Sequence, residues 1–267
     1  MSAIGALRDL LVSLLQEHER DGALPTSARF LFYELIQRGQ LSKQSTGARR
    51  PDQNLHDALT DIREDDRVPW DWIVDETRSL DDYTGYKSVR DGVHAQLEHI
   101  NIDPWRDRAP MILTESRSLA GVLRPIASDY RCRIASTNGQ CGGFLRTDIA
   151  PMLAAGDVVL YFGDLDWSGG QIETNTQRVL EQVVGTLRWE RVALTEQQVS
   201  DYSLPRITKR DRRYADGRPH EAVETEALRQ TVLVGILRSR LDALIPEPLT
   251  RVLERERRQR SAITRNL

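Results

Sequence analysis

Val158-Val159-Leu160-Tyr161-Phe162-Gly163-Asp164-Leu165-Asp166-Trp167-Ser168-Gly169-Gly170 is the stretch on which the fold turns. A short apolar, β-branched run reads as a buried parallel strand, and the small residues after it read as a turn into a helix. Residues i and i+2 of an extended chain point the same way, so Asp164 and Asp166 are expected to face one side together. Two adjacent carboxylates repel, and a hard cation such as Mg²⁺ between them relieves the repulsion while taking waters and phosphate oxygens as further ligands. Open α/β sheets place their ligands at the carboxyl ends of parallel strands. The plainer reading is a solvated Asp-x-Asp loop, or a helix N-cap with a spare acid.

The flanking sequence favours an α/β unit. Met111-Ile112-Leu113-Thr114 is a short buried strand ending at Glu115, and a helix follows through Leu119, Val122, Leu123 and Ile126. Cys132-Arg133-Ile134-Ala135 is a second strand, leading into Asn138-Gly139-Gln140-Cys141-Gly142-Gly143. A helix from Phe144 to Ala155 precedes the central strand, and another covers 171–186. Trp189-Glu190-Arg191-Val192-Ala193-Leu194 is the last strand. Repeated βα units predict a parallel sheet with helices on its faces. The charged segment 205–222 reads as a surface loop. Glu224-Thr225-Glu226-Ala227-Leu228 reads as the start of a long helix.

The first hundred residues have a different pattern. Ile4, Leu7, Leu10, Leu11, Leu14 and Leu15 form one face of a packing helix. Pro25-Thr26-Ser27 opens a second helix through Phe30, Leu31, Tyr33 and Leu35, and a third runs from Asn54 to Arg63. Val68-Pro69-Trp70-Asp71-Trp72-Ile73-Val74-Asp75 reads as an extended hairpin or wing. This order is that of a winged-helix DNA-binding module, and the basic loop from Lys43 to Arg50 would face phosphates. Pro104 marks the boundary, giving an N-terminal domain over 1–104 and an α/β domain with a helical extension over 105–267. The arginine-rich end, with Arg251, Arg255, Arg257, Arg258, Arg260 and Arg265, reads as a solvated helix, with contact to a DNA backbone as the sharper alternative.

Composition sets outer bounds. Of 267 residues, 39% are hydrophobic and 29% charged, and 37 basic against 40 acidic side chains give a net charge of −3. A nucleic-acid interface would therefore have to be local. Cys132 and Cys141 have no metal-binding spacing and predict no structural disulfide, as expected of a reduced cytoplasmic protein. No apolar run reaches membrane-spanning length.

Glu115 at the end of one strand, with Asp164-Leu165-Asp166-Trp167-Ser168-Gly169 at the end of another, resembles a Toprim domain. The second motif is similar to the Asp-x-Asp-x-x-Gly of type IIB DNA topoisomerase A subunits and their meiotic double-strand-break relatives. Ser27-Ala28-Arg29-Phe30-Leu31-Phe32-Tyr33 resembles that family's Thr/Ser-x-Arg-Asp/Glu-Ile-Tyr-Tyr, with Phe30 in place of the acid and Phe32 in place of the first tyrosine. Glu224-Thr225-Glu226-Ala227-Leu228 is similar to the opening of the family's last helix. The likeness spans roughly 24–245, and the chain's length brings it nearest the short stand-alone mini-A group.

The resemblance implies a winged-helix (CAP-like) domain followed by a Toprim domain. It implies Mg²⁺ held by Glu115, Asp164 and Asp166, Tyr33 as nucleophile, Arg29 at the scissile phosphate, and Glu115 moving a proton. The expected activity is that of a DNA-cleaving transesterase leaving 5′-phosphotyrosine ends on double-stranded DNA. Cutting both strands takes two tyrosines and hence a homodimer, in which the family sets the tyrosine of one subunit against the metal site of the other. The family's ATPase lies on a separate subunit. Two alternatives remain at this stage: a Toprim-type hydrolytic nuclease in which Tyr33 is structural, and a non-catalytic DNA-binding protein.

Overall fold

The computed structural model describes residues 3–42, 51–74, 84–97, 99–139, 141–209 and 219–265. Three helices open the chain: α1 (Ala3–Arg20), α2 (Ala28–Gln37) and α3 (Pro51–Glu64). Ser27 caps α2, its hydroxyl accepting from the Phe30 amide. Leu11, Leu14, Leu15, Leu31, Leu35, Leu55, Leu59 and Ile62 recur at helical spacing and close a core between the three helices. The expected wing is replaced by a 3₁₀ turn over Trp70–Trp72 and one parallel bridge from Ile73 to Thr26. Asp71 and Trp72 are spent on that turn, so the aromatic run does not form a hairpin among the described residues. The basic loop 43–50 and position 75 of the wing segment lie outside them.

After α4 (Val89–Leu97) the chain enters the α/β unit, built from β1 (Met111–Thr114), α5 (Arg117–Asp129), β2 (Arg133–Ser136), the single turn α6 (Gly142–Phe144), β3 (Val158–Phe162), α7 (Trp167–Val184) and β4 (Arg188–Ala193). The strands are parallel in the order β2-β1-β3-β4. Alternation sorts their side chains to two faces. Ile112, Leu160, Phe162 and Val192 pack with Leu119, Leu123 and Ile126 of α5. Met111, Leu113, Val159 and Tyr161 pack with Leu145, Ile149 and Leu180 on the other face. The helix expected over 144–155 is shorter and irregular: α6 widens into a π turn over Leu145–Ile149 and ends in a 3₁₀ turn over Ala150–Met152. Pro151 falls in that last turn, where a missing amide donor cuts the helix short.

The chain continues through α8 (Glu196–Asp201), an antiparallel pair of β5 (Ile207–Lys209) and β6 (His220–Ala222), α9 (Gln230–Leu244) and α10 (Leu249–Thr264). Two expectations need correction here. Segment 205–222 contains the β5–β6 pair. Glu224–Leu228 is not the start of a helix, because Thr225–Ala227 form a separate 3₁₀ turn, Leu228 is extended and α9 begins at Gln230. Part of the arginine-rich end is engaged within the chain. Arg255 pairs with Glu247, and Arg260 donates to the Ile100 carbonyl and to Glu256, whose carboxylate also accepts from the Ile102 amide.

The N-terminal helices are bound to the α/β unit by buried groups. Gln230 Nε2 donates to the carbonyls of Ala23 and Pro25 at 2.6 and 2.7 Å. Phe30 is 3% exposed and sits in the core formed by α5, the sheet and α9. An acid there would be a buried charge in apolar surroundings. Phe30→Ala is expected to lower unfolding free energy by about 3–5 kcal/mol in urea titration, as truncations of buried aromatics do.

Candidate active site at the carboxyl edge of the sheet

The chain leaves β1 for β2 on one side and returns to β3 on the other, so a crevice opens where β1 and β3 end. Glu115 follows β1 and Asp164 lies two residues past β3. The Asp164 amide donates to Glu115 Oε2 at 3.0 Å, which joins the two sequence-predicted acids. Two glycines make room for this contact. A Cβ on Gly169 would lie 2.4 Å from the Asp164 carbonyl oxygen and 3.1 Å from Glu115 Oε2, and one on Gly163 would lie 3.0 Å from the same Oε2. From behind, Arg191 Nη1 donates to the carbonyls of Gly163 and Leu194 at 3.0 and 2.8 Å, fixing the backbone from which Asp164 projects.

Asp166 has a different environment. It caps α7, Oδ1 accepting from the Gly169 amide at 2.7 Å, while Oδ2 pairs with Lys209 Nζ at 2.8 Å. The same ammonium lies 3.3 Å from Glu224 Oε1. Lys209 comes from β5, within the segment read as a surface loop; no motif or periodicity marked it.

The Glu224 segment enters the site through a two-residue antiparallel bridge. Leu165 and Val223 exchange backbone hydrogen bonds at 2.9 and 3.1 Å, and Thr225 then donates to Asp164 Oδ1 through its amide (2.9 Å) and hydroxyl (3.1 Å). Across this turn lies α2. Arg29 pairs with Glu224 Oε2 at 2.9 Å and Glu226 Oε1 at 3.1 Å, with Asp164 Oδ2 at 4.0 Å. The Tyr33 hydroxyl donates to that same Glu224 oxygen. Ser116, the cap of α5, donates to Glu226 Oε1 at 2.9 Å. Arg29, Tyr33, Glu115, Asp164 and Asp166 are thus gathered at one edge within a single chain. Sequence reasoning treated Glu224 and Glu226 only as part of a helix-opening motif and gave them no chemical role.

The electrostatics follow from carboxylate crowding. Burial, and then the Asp164 charge, push Glu115 up to about 7. Burial pushes Glu226 up to about 7 against the pull of Arg29. Asp164 is raised by burial, with the Thr225 amide and Arg29 pulling the other way. Burial opposes the charges of Arg29 and Lys209, but the surrounding carboxylates outweigh it and hold both cations protonated above their ordinary range. Burial and Glu224 together raise the Tyr33 phenol.

Arg29, Glu115, Ser116, Asn138, Asp164 and Thr225 line a cavity of about 200 Å³ at this edge, several times the roughly 30 Å³ share of one water. Glu115 and Asp164 contribute carboxylate oxygens of the kind a hard divalent ion takes, Ser116, Asn138 and Thr225 contribute neutral oxygens, and Arg29 adds positive charge to the same lining. The Lys209 ammonium on Asp166 and Glu224 shows that part of the cluster accepts a cation. Among the described residues, no three acidic, histidine or cysteine side chains already converge as metal ligands, since Asp166 is turned toward α7 and Lys209. Glu115 and Asp164 are thus oxygen donors of the type Mg²⁺ takes, while both oxygens of Asp166 are engaged by the Gly169 amide and Lys209.

Comparison with protein-family models, with curated proteins and with solved structures finds no match. The α/β class, with a parallel sheet flanked by helices, therefore rests on the structure itself, and no helix among the described residues is long and apolar enough to cross a membrane.

Glu115 and Glu226 sit near 7 against an ordinary 4.5, so the folded state binds protons more readily than the unfolded chain. The stability they contribute is complete below about 4.5 and is lost as pH rises through about 7. In EDTA, Glu115→Gln is expected to melt several degrees above wild type at about pH 8, and the difference should close by about pH 4.5. A lower midpoint at pH 8 would contradict the assigned shift.

Proposed function

We propose that this chain cleaves DNA by Mg²⁺-dependent tyrosine transesterification, in the manner of a type IIB topoisomerase A subunit, at the carboxyl edge of its sheet. The observation that supports the reading is one shared oxygen: Glu224 Oε2 accepts from the Tyr33 hydroxyl and from Arg29, beside the cavity that Glu115 and Asp164 line. Asp164 and Asp166 would hold Mg²⁺, which when bound supplies neutralisation of charge on the phosphate oxygens, and Glu115 beside them would be the group that moves a proton.

The chain's own groups account for the remaining proton and charge movements. Glu224, already accepting the Tyr33 hydrogen bond, takes the phenolic proton as the oxygen attacks phosphorus. Burial disfavours a free tyrosinate, so proton loss and attack coincide. The phosphorus–oxygen bond to the leaving sugar breaks, and that oxygen takes a proton from Glu115, which near 7 is still partly protonated at neutral pH. Arg29, whose side chain is 39% exposed, offsets charge on the phosphate. The product is a 5′-phosphotyrosine and a free 3′-hydroxyl, with the bond energy kept for resealing. One chain would cut one strand, and a two-fold pair would cut both.

A second reading is favoured by one observation: Tyr33 is only 7% exposed and its hydroxyl is committed to Glu224. In this reading water attacks, Tyr33 is structural and the protein is a hydrolytic nuclease.

Incubation with supercoiled DNA and Mg²⁺, followed by a detergent quench, separates the two. Transesterification predicts protein-linked 5′ ends that disappear in Tyr33→Phe, while Asp164→Ala lowers all cleavage by at least about 100-fold. Free ends undiminished in Tyr33→Phe would give the site to hydrolysis. Cleavage intact in Asp164→Ala would remove the chemistry from this edge.

A further inference from the structure

Most of the donors that line the cavity at the carboxyl edge already serve the protein's own acids. Arg29 is held by Glu224 and Glu226, the Ser116 hydroxyl by Glu226, and the Thr225 amide and hydroxyl by Asp164. Asn138 lines the same cavity, is exposed, and its side-chain amide has no hydrogen-bond partner among the described residues. Among the described residues of that lining it is the one donor side chain not engaged by a carboxylate.

The backbone fixes Asn138 at this place. β2 runs beside β1 with Ser136 opposite Thr114, and the buried Thr137 donates to the Thr114 carbonyl through its amide at 2.8 Å and its hydroxyl at 3.4 Å. Thr114 immediately precedes Glu115, so the residue after Thr137 emerges beside the acid that ends β1. Asn138 and Gly139 then take φ of +46° and +93°, a left-handed pair that turns the chain along the cavity wall. Turn geometry alone accepts asparagine, aspartate or glycine at 138. The chemistry of the cavity separates them. Aspartate would add a third carboxylate to Glu115 and Asp164, and glycine would offer no group. Asparagine presents N–H donors without charge.

We propose that the Asn138 side-chain amide donates to a non-bridging phosphate oxygen of DNA seated in this cavity. The assignment rests on the proposed reading of this edge as the seat of a DNA phosphate, and it adds a substrate-binding residue from the end of β2. Carboxylates on the cavity wall repel such a phosphate, and an N–H directed at its oxygens offsets part of that repulsion. Arg29 contributes charge that it shares with Glu224 and Glu226, and Asn138 contributes a hydrogen bond that no protein group competes for. A phosphate contact positions the strand and reads no sequence, so its loss should weaken binding alike on unrelated duplexes.

Fluorescence anisotropy of labelled duplex DNA with the full chain, in Ca²⁺ and at one fixed salt concentration, measures the contact. Asn138→Gly keeps the turn and is expected to bind about tenfold more weakly, the scale of one hydrogen bond to a charged group. Asn138→Asp also keeps the turn, puts an acceptor where the donor was, and should lose at least as much. Both variants should melt within about 2 °C of wild type, as substitutions at exposed positions do. Either variant binding within about twofold of wild type would overturn the proposal, as would an affinity loss seen only with a midpoint several degrees lower. Cleavage in Mg²⁺ is scored on the same proteins. If both variants weaken binding and no protein, wild type included, cuts DNA, the Asn138 contact stands and the cleavage reading fails. If wild type cuts DNA and the variants bind as it does, the cleavage reading stands and the Asn138 contact falls. A wild type that does not bind the duplex overturns both.

Discussion

Glu115, Asp164, Asp166, Glu224 and Glu226 share Arg29 and Lys209 at one end of a parallel sheet, and most of the architecture around them serves this imbalance. Burying a carboxylate is costly unless a cation or several donors meet it. Here the Thr225 amide and hydroxyl, the Asp164 amide, the start of α7 and the Ser116 hydroxyl all point at carboxylate oxygens. These donors are too few, and the upward shifts of Glu115, Glu226 and Asp164 record the remainder. Removing one partner of such a buried network leaves an uncompensated charge and costs more than the net worth of the pair.

The arrangement of the two units follows from the same constraint. Arg29 belongs to α2 yet its charge is spent on Glu224 and Glu226, so the N-terminal helices are docked where the α/β unit needs a cation. Phe30, the next residue, anchors the dock in the apolar core behind, and Gln230 adds two hydrogen bonds to the chain entering α2. Lys209 brings the second cation from β5. Tyr33 therefore meets the acids of its own chain.

The two central strands, β1 and β3, were legible because they are short, fully buried apolar runs that give way to Glu115 and to Gly163. Glu115 and Asp164 were legible for the same reason, since the carboxyl end of a parallel strand is a place that topology defines. The expected wing failed because Trp70 and Trp72 read equally as a half-buried strand or as an aromatic turn, and only packing on α2 and α3 decides. The helix expected at Glu224 failed because Glu224 and Glu226 are held by Arg29 and Ser116, contacts from distant parts of the chain. Lys209 could not have been found, being one basic residue in a charged segment whose partners lie far away in sequence. Asp164 and Asp166 were expected to act as a pair, but the turn after Asp164 gives one to Thr225 and the other to α7.

Five carboxylates here share two cations, and under the proposed function a divalent ion would supply the missing positive charge. Thermal denaturation at about pH 7.5 over a Mg²⁺ titration tests it most directly, because a ligand that binds only the folded state raises the midpoint with its concentration. The account predicts a midpoint that climbs by several degrees between EDTA and about 10 mM Mg²⁺ in wild type and stays flat in a double Glu115→Gln, Asp164→Asn variant. A wild-type midpoint indifferent to Mg²⁺, or one that climbs equally in the double variant, would contradict it.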